Sequence, residues 1–249
     1  MKRIGIIGGV GPSTTATFYM RVIQLEKELH NARPLLLIHS VPVPAEMEDH
    51  FLRTGKGIKD YIPFLKTAGV SLMRAGAEII VMPCNSLHHL RDEIRQEIHV
   101  PFMSIVDETV RHLQKVRVRR IGILGSPLTL QKSLYVRPLK RQGIECVVPS
   151  KNEQTVLGEI IRNIVFGEKK DSDEHRFMEV MNSLQRRGVK HLLLACTDLQ
   201  ELQSRHPLCT VHDTMDILAH AVCSTRTERS SNMQKFDYTD VIDYGQFDS

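Results

Sequence analysis

The sequence has no long apolar run, no paired cysteine motif and no concentrated patch of basic charge. Nowhere in its 249 residues do 18 apolar residues follow one another, so no membrane-spanning helix is predicted. Its five cysteines are an odd set without a C-x-x-C pair, which favours neither a disulfide framework nor a zinc site. The 33 basic and 29 acidic residues are scattered along the chain, which argues against nucleic acid as the partner.

The remaining composition is that of an ordinary globular protein. With 41% hydrophobic and 25% charged residues, the chain can bury a core for one large domain or two small ones. The first residues, MKRIGIIGGVG, form a short apolar run that breaks at glycines and has no small-residue cleavage site. Together with the unpaired cysteines, this predicts a cytoplasmic protein that binds no membrane.

Short apolar runs alternate with amphipathic segments in the first half of the chain. The first run is followed by Gly8 and Gly9, and then by a helical pattern that starts after Pro12. This alternation predicts a parallel sheet with helices on both faces. The predicted strands are 3–7, 35–39 and 78–82, and a further helix is predicted over 57–75.

The pattern then repeats. KRIGIIGG at 2–9 has a near copy in RRIGILGS at 119–126, and GAEIIVMPCNSL at 76–87 is echoed by GVKHLLLACTDL at 188–199. Two copies are too few for a solenoid. The sequence therefore predicts an α/β fold with two similar Rossmann-like domains, each with a parallel sheet, related by a pseudo-twofold axis.

The repeat also suggests the domain boundaries. We expect a first α/β domain at 1–100 plus 212–225 and a second at 101–211. Residues 226–249 are polar and acidic without helical or strand periodicity, and we expect a mobile tail there. Ligands of open α/β sheets bind outside the carboxyl ends of the strands, so the active site is predicted in the cleft between the domains.

Two of the five cysteines stand at equivalent positions of the repeat. Cys84 and Cys196 each follow a predicted strand and precede a predicted helix, which Asn85 or Ser86 in one half and Thr197 in the other would cap. The N–H groups of a helix N-terminus lower the pKa of a thiol and can hold a carboxylate. The other three cysteines, Cys146, Cys209 and Cys223, fit small buried hydrophobic residues.

A lone cysteine at such a position would suggest a nucleophile, which also requires a basic partner and an oxyanion hole. Two cysteines related by an internal repeat favour a different chemistry. Thiols that approach a ligand from two faces can remove a proton from a carbon acid and return one from the other side. This pattern is typical of a two-base racemase or epimerase.

The segments MKRIGIIGGVGPSTTATFY, MPCNSLHH, RRIGILGSPLT and LLACTDL resemble the motifs of the aspartate/glutamate racemase family, in the expected order over 1–225. The resemblance implies two Rossmann-like domains, a homodimer, and racemisation of aspartate or glutamate by a cysteine pair without pyridoxal phosphate or any other cofactor. Carried over by position, Cys84 and Cys196 are the acid/base thiols, and the substrate contacts are Gly9, Val10, Gly11, Asn85, Ser86, Thr129 and Thr197.

The sequence departs from the family pattern at three positions. Ser86 replaces a threonine and Asp198 replaces a glutamate, and both changes keep the functional group. Glu46 lies in the region where many aspartate-specific members have an arginine. A contact with the distal carboxylate of the substrate would then come from Arg53 or Lys169, with Lys56 and Lys170 as alternatives.

Other chemistries are less well supported. The glycine loop lacks regular G-x-G-x-x-G spacing, which argues against a nicotinamide cofactor. His206, Cys209 and His212 have no known ligand spacing, so no metal site is predicted. The functional alternatives are a maleate-type isomerase with one nucleophilic cysteine, a hydantoin-type racemase, and a non-catalytic protein that binds an acidic metabolite.

Overall fold

A computed structural model describes residues 2–202 and 206–225 of the chain. The predicted tail, 226–249, lies outside the described residues. No helix in these two ranges is long and apolar enough to cross a lipid bilayer.

Two four-stranded parallel sheets form the framework, and their strand orders are equivalent. The first sheet has the order β2-β1-β3-β4 and the second the order β6-β5-β7-β8, so the α/β fold with a repeated parallel sheet is confirmed. The strands are β1 (Arg3–Gly8), β2 (Leu35–Ser40), β3 (Ile79–Val81), β4 (Phe102–Met103), β5 (Arg120–Gly125), β6 (Glu145–Val147), β7 (His191–Ala195) and β8 (Thr210–Asp213).

Helices cover both faces of each sheet, which explains the continuous apolar runs of the central strands. The α-helices of the described ranges are α1 (Pro12–His30), α2 (Ala45–Thr54), α3 (Ile62–Arg74), α4 (Arg91–Arg95), α5 (Ile105–Lys115), α6 (Pro127–Gln131), α7 (Val136–Arg141), α8 (Lys151–Val165), α9 (Asp171–Arg186) and α10 (Thr214–Ser224). Short 3-10 helices lie at Ile58–Tyr61, Ser86–Leu90 and Thr197–Glu201.

One hydrophobic core is shared by the two sheets. Ile6 of β1 and Ile123 of β5 both contribute to it, together with residues of α1, α5 and α10. Ile7 of β1 faces a second core beneath α3, and Leu124 of β5 faces a third beneath α8 and α9. Alternate residues of each strand are therefore buried on opposite faces, and the shared core fixes the two sheets against each other.

Strand pairing gives a slightly different division of the chain from the predicted one. β4 pairs with β3 of the first sheet, although the predicted boundary assigned its residues to the second domain. β8 pairs with β7 of the second sheet, and α10 packs against both α1 and α5. The sheets thus divide between β4 and β5, while the domain limits themselves stay a prediction.

The loop after β1 turns sharply toward α1 because of its glycines. Gly9 and Gly11 have φ angles of 82° and 80°, in the left-handed region where glycine is favoured. A Cβ atom on Gly9 would lie 2.5 Å from the backbone nitrogen of Val41, so the loop packs directly on the chain that leaves β2. The N–H group of Gly9 donates to the hydroxyl of Thr15 at 3.0 Å. These contacts hold the loop at the carboxyl end of the sheet.

Candidate active site

A cavity lies where the carboxyl ends of the two sheets meet. Its lining includes Gly11 after β1, Cys84 after β3, Ser126 after β5 and Cys196 after β7. Each central strand of each sheet therefore contributes the residues that follow it, as expected for ligand sites of parallel sheets. The two cysteines singled out by the repeat line one cavity.

The chain after each cysteine forms a single 3-10 turn and not the start of a long helix. Neither turn has a side-chain cap, so the prediction that Asn85, Ser86 or Thr197 caps a helix is wrong. These side chains make tertiary contacts instead. Thr197 donates its hydroxyl to the carbonyl oxygen of Pro83 at 3.2 Å, which joins the second cysteine loop to the first.

Both thiols favour the neutral form in the empty site. Burial raises the pKa of Cys84 to about 12, and the carboxylates of Asp198 and Glu48 raise it further, while the N–H groups of Leu87 and Ser86 lower it. Burial and the charge of Asp198 also hold the pKa of Cys196 well above its ordinary value. The prediction of a lowered thiol pKa is wrong because desolvation outweighs the few N–H groups of a single turn.

Asp198 connects the second cysteine to the first helix. The thiol of Cys196 donates to its Oδ2 at 3.4 Å, and the hydroxyl of Thr14 on α1 donates to its Oδ1 at 2.6 Å. Burial raises the pKa of this carboxyl, although both hydrogen bonds lower it. Asp198 is therefore a fixed acceptor beside the thiol, with its basicity increased by burial.

Asn85 is held by residues that the sequence motifs did not identify. Its side-chain oxygen accepts a hydrogen bond from the hydroxyl of Tyr135, and its Nδ2 donates to Thr214 Oγ1 at 3.0 Å. Thr214 in turn donates to the carbonyl oxygen of Leu194 at 2.8 Å. All three side chains are buried. The second half of the chain thus fixes the amide beside Cys84, a relation that no local sequence signal carries.

A cluster of hydroxyl groups supports the first cysteine loop from the other side. Ser86 Oγ lies 2.8 Å from Ser126 Oγ, which donates to Thr129 Oγ1 at 3.0 Å. Ser86 and Ser126 line the cavity, as do Val10 and Gly11, whereas Thr129 and Gly9 do not belong to its lining. Ser126 was missed, and its only sequence signal is its place before Pro127 at the start of α6.

The cations expected to contact a distal carboxylate do not line the cavity. Arg53 pairs with Asp49 at 2.6 Å, and the nitrogen of Lys169 donates to Glu174 at 2.8 Å and to the Glu201 carbonyl at 3.2 Å. Arg53 lines an adjoining pocket that shares Phe51 and Leu52 with the cavity, and the contact predicted for these two cations stays a prediction. Among the described residues, the charged groups that line the cavity are two carboxylates, those of Glu48 and Asp198.

The model of one protein family, Asp/Glu/hydantoin racemase, matches residues 7–222, which include both cysteine loops and both glycine loops. The chain belongs to this racemase family. The expected membership is confirmed, and with it the assignment of the chain to an enzyme family whose members act on small amino-acid substrates.

Relatives and solved structures match between about half and nine tenths of this chain. The broad specificity amino-acid racemase RacX of Bacillus subtilis is 29% identical over 237 residues, covering 89% of this chain and 97% of the relative. A glutamate racemase of Aquifex pyrophilus is 30% identical over 142 residues, about half of each chain. The crystal structure of an aspartate racemase homologue from Pyrococcus horikoshii OT3 has a TM-score of 0.73 at 28% identity, covering 91% of this chain and 100% of that one.

In this racemase, His88 supports the Cys84 loop as a neutral residue. Because the carbonyl oxygen of Cys84 can only accept, His88 Nδ1 carries the proton and donates to it at 2.6 Å. The Nε2 atom accepts the N–H group of Ile105 at 3.2 Å. Burial lowers the pKa of His88 to about 4. The imidazole therefore joins the Cys84 loop to α5 and is neutral at pH 7.

The His88 contacts predict a specific pH dependence of stability. Since its pKa is about 4 in the folded protein and near 6.5 when unfolded, its contribution is complete above pH 6.5 and is lost as the pH falls toward 4. The free energy of unfolding of wild type should exceed that of His88→Gln at pH 7, and this difference should shrink by about 3 kcal/mol at pH 4. Urea unfolding at a series of pH values measures it.

The same substitution at exposed His175 on α9 controls for the loss of a histidine elsewhere on the molecule. A difference between wild type and His88→Gln that stays constant from pH 7 to pH 4 would contradict the neutral, buried role of His88.

Proposed function

We propose that the protein racemises an α-amino acid without pyridoxal phosphate, by proton transfer between the substrate and the thiols of Cys84 and Cys196. The observation that carries the proposal is the convergence of both thiols on one cavity, each from the loop after an equivalent strand. Three other cysteines, Cys146, Cys209 and Cys223, are absent from this lining. The pair thus consists of the two cysteines related by the repeat.

The proposed reaction conserves protons and electrons. One cysteine, as the thiolate, removes the α-proton, so that an S–H bond forms while the Cα–H bond breaks and the electron pair remains on the substrate. The other cysteine, as the thiol, donates its proton to the opposite face of Cα. The thiol and thiolate exchange roles, nothing is oxidised or reduced, and the product is the other enantiomer.

The carbanion character that develops in this reaction needs stabilisation from the protein. Asn85, Ser86 and Thr197 line the cavity beside the thiols, and we assign the α-carboxylate of the substrate to them. Hydrogen bonds to this carboxylate stabilise the charge that moves into it as the α-proton leaves. The N–H groups of Ser86 and Leu87 also favour the thiolate of Cys84. The proposal therefore requires no cofactor as an electron sink.

Asp198 is the proposed acceptor of the Cys196 proton. The thiol already donates to its Oδ2 at 3.4 Å, and burial raises the pKa of this carboxyl above that of an ordinary aspartate. The transfer leaves the total charge of the pair unchanged, because the carboxylate becomes a neutral acid as the thiol becomes the thiolate. Asp198 thus prepares Cys196 to act as a base, while the covalent change at Cα involves the thiols alone.

The acidic substrate implied by the family resemblance requires a cation for its second carboxylate. The described cavity lining contains none, and Arg53 and Lys169 have other partners. Aspartate and glutamate therefore belong among the substrates to be tested, together with the other common L-amino acids.

The cysteine pair predicts a sharp mutational pattern. Cys84→Ala and Cys196→Ala should each lower the rate of racemisation by a factor on the order of 10³, since each removes one of the two proton-transfer groups. Formation of the D-enantiomer from each common L-amino acid, followed by chiral chromatography in the presence of a reducing agent, measures the rate. Cys146→Ala on β6, outside the cavity, is the matched control and should keep wild-type activity.

Two results would contradict the proposal. One is racemisation that persists in either alanine variant. The other is a wild-type enzyme that converts no amino acid but carries a substrate-derived mass increase on a single cysteine, which would indicate nucleophilic chemistry.

The contact with Asp198 predicts a graded effect. Asp198→Asn should lower kcat/KM by about 100-fold or more, because the amide cannot take the Cys196 proton, whereas Asp198→Glu should retain most of the activity. Since the two enantiomers are equal in energy, kcat/KM must fall equally in both directions. Kinetics of both variants from L- and D-substrate check this, and an Asp198→Asn enzyme with near wild-type kcat/KM would rule out the role of Asp198.

A further inference from the structure

We infer that the preferred substrates are basic α-amino acids, in which a chain of methylene groups ends in a cation that pairs with Glu48. The inference rests on the proposed racemase function and adds the side-chain class of the substrate. It depends on the orientation of α2, on the charges of the cavity and on the nature of its walls.

The helix α2 places one carboxylate, that of Glu48, in the cavity lining, whereas Arg53 lines an adjoining pocket beyond the shared wall of Phe51 and Leu52. Glu48, Phe51 and Leu52 are spaced by three and four residues, so they share a helix face, and all three line the cavity. Asp49 lies on another face. It accepts from Arg53 at 2.6 Å and from Arg162 of α8 at 2.8 Å.

The ion pair between Asp49 and Arg162 limits the rotation of α2 about its axis, since Arg162 belongs to α8. Arg162 attaches the Asp49 face of the helix to α8, and the same carboxylate holds Arg53, whose side chain is 58% exposed. A rotation of α2 that moved Arg53 toward the cavity would break the pair between Asp49 and Arg162 and withdraw Glu48. The fold therefore presents an anion to the substrate at the position where an acidic substrate would need a cation.

The charges of the cavity also favour a cationic ligand. Glu48 and Asp198 both line it, and none of the ion pairs formed within residues 2–202 and 206–225 includes Glu48. Burial and the charge of Asp198 raise the pKa of Glu48, so its ionised form lacks compensation in the empty site. A substrate cation beside Glu48 supplies that compensation, whereas a second substrate carboxylate would add a further negative charge.

The remaining walls fit the methylene groups of such a substrate. Phe51 and Leu52 of α2 and Ile161 and Val165 of α8 are apolar and line the cavity. An aliphatic chain can lie against them while its terminal ammonium or guanidinium group reaches a carboxylate. The side-chain cation then pairs with Glu48, which leaves Asp198 to its contact with Cys196.

The test compares three side chains in wild type and in matched variants. Racemisation kinetics are measured for lysine, for norleucine, which has a butyl side chain without the ammonium group, and for glutamate. In wild type, kcat/KM for lysine should exceed that for norleucine by about 10-fold or more, and glutamate should be the poorest of the three. Glu48→Gln should lower the lysine-to-norleucine ratio by about 10-fold.

Glu46→Gln is the matched control, since it removes the same charge from an exposed position on the same helix and should leave the ratio unchanged. Glu48→Lys provides an independent check that does not depend on loss of function, because it should raise the glutamate-to-lysine ratio. A wild-type enzyme that prefers glutamate, or a Glu48→Gln ratio equal to that of wild type, would overturn the inference.

Calorimetric binding of the three amino acids separates this inference from the proposed function. If lysine binds wild type more tightly than norleucine but its α-proton is never exchanged, the racemase proposal fails and recognition by Glu48 stands. If norleucine or glutamate is racemised while lysine neither binds nor reacts better, the racemase proposal stands and the inference fails.

Discussion

The shared hydrophobic core between the two sheets is the constraint on which the rest of the structure depends. Ile6 and Ile123 lie at equivalent positions of the repeat and are buried in the same core, with α1, α5 and α10 around them. Because such cores are close-packed, the two sheets cannot shift without losing contacts. Cys84 and Cys196 can therefore lie on fixed backbones at one cavity although more than a hundred residues separate them.

Hydrogen bonds between the two halves of the chain fix the side chains of the cavity more closely than the shared core does. Thr197 reaches the carbonyl before Cys84, Thr14 reaches Asp198, and Tyr135 with Thr214 holds Asn85. Each pair joins a residue of one half to a residue of the other. Burial and the charge of Asp198 raise the pKa of both thiols, while backbone N–H groups of the cysteine loops lower it.

Sequence periodicity predicted the framework because the repeated strands are buried on both faces. The runs at 2–9 and 119–126 became β1 and β5, and both cysteines follow their strands as expected. The family motifs also named five residues that line the cavity beside the two cysteines: Val10, Gly11, Asn85, Ser86 and Thr197. The predictions that were wrong concerned features that depend on tertiary contacts. The turns after the cysteines are single 3-10 turns, and the thiol pKa is set by desolvation, which no local pattern reports.

The charges that line the cavity could not be predicted from the sequence either. Glu48 and Arg53 are five residues apart on α2, and either could have faced the cavity. Their roles depend on Arg162, which is more than a hundred residues away and pairs with Asp49. The sequence did not identify three further residues for the same reason. These are Ser126, Tyr135 and Thr214, whose roles come from hydrogen bonds to side chains distant in sequence.

Isotope distribution at Cα tests the central claim most directly, because it reports whether two separate groups act on the substrate. An L-amino acid substrate is incubated in D2O, and both enantiomers are recovered after a few per cent conversion and analysed by mass spectrometry. The two-thiol account predicts D-product carrying one solvent deuterium and remaining L-substrate still protiated. Protium retained in the product, or deuterium in the recovered L-substrate at the same rate, would show that one group exchanges both faces and would contradict the account.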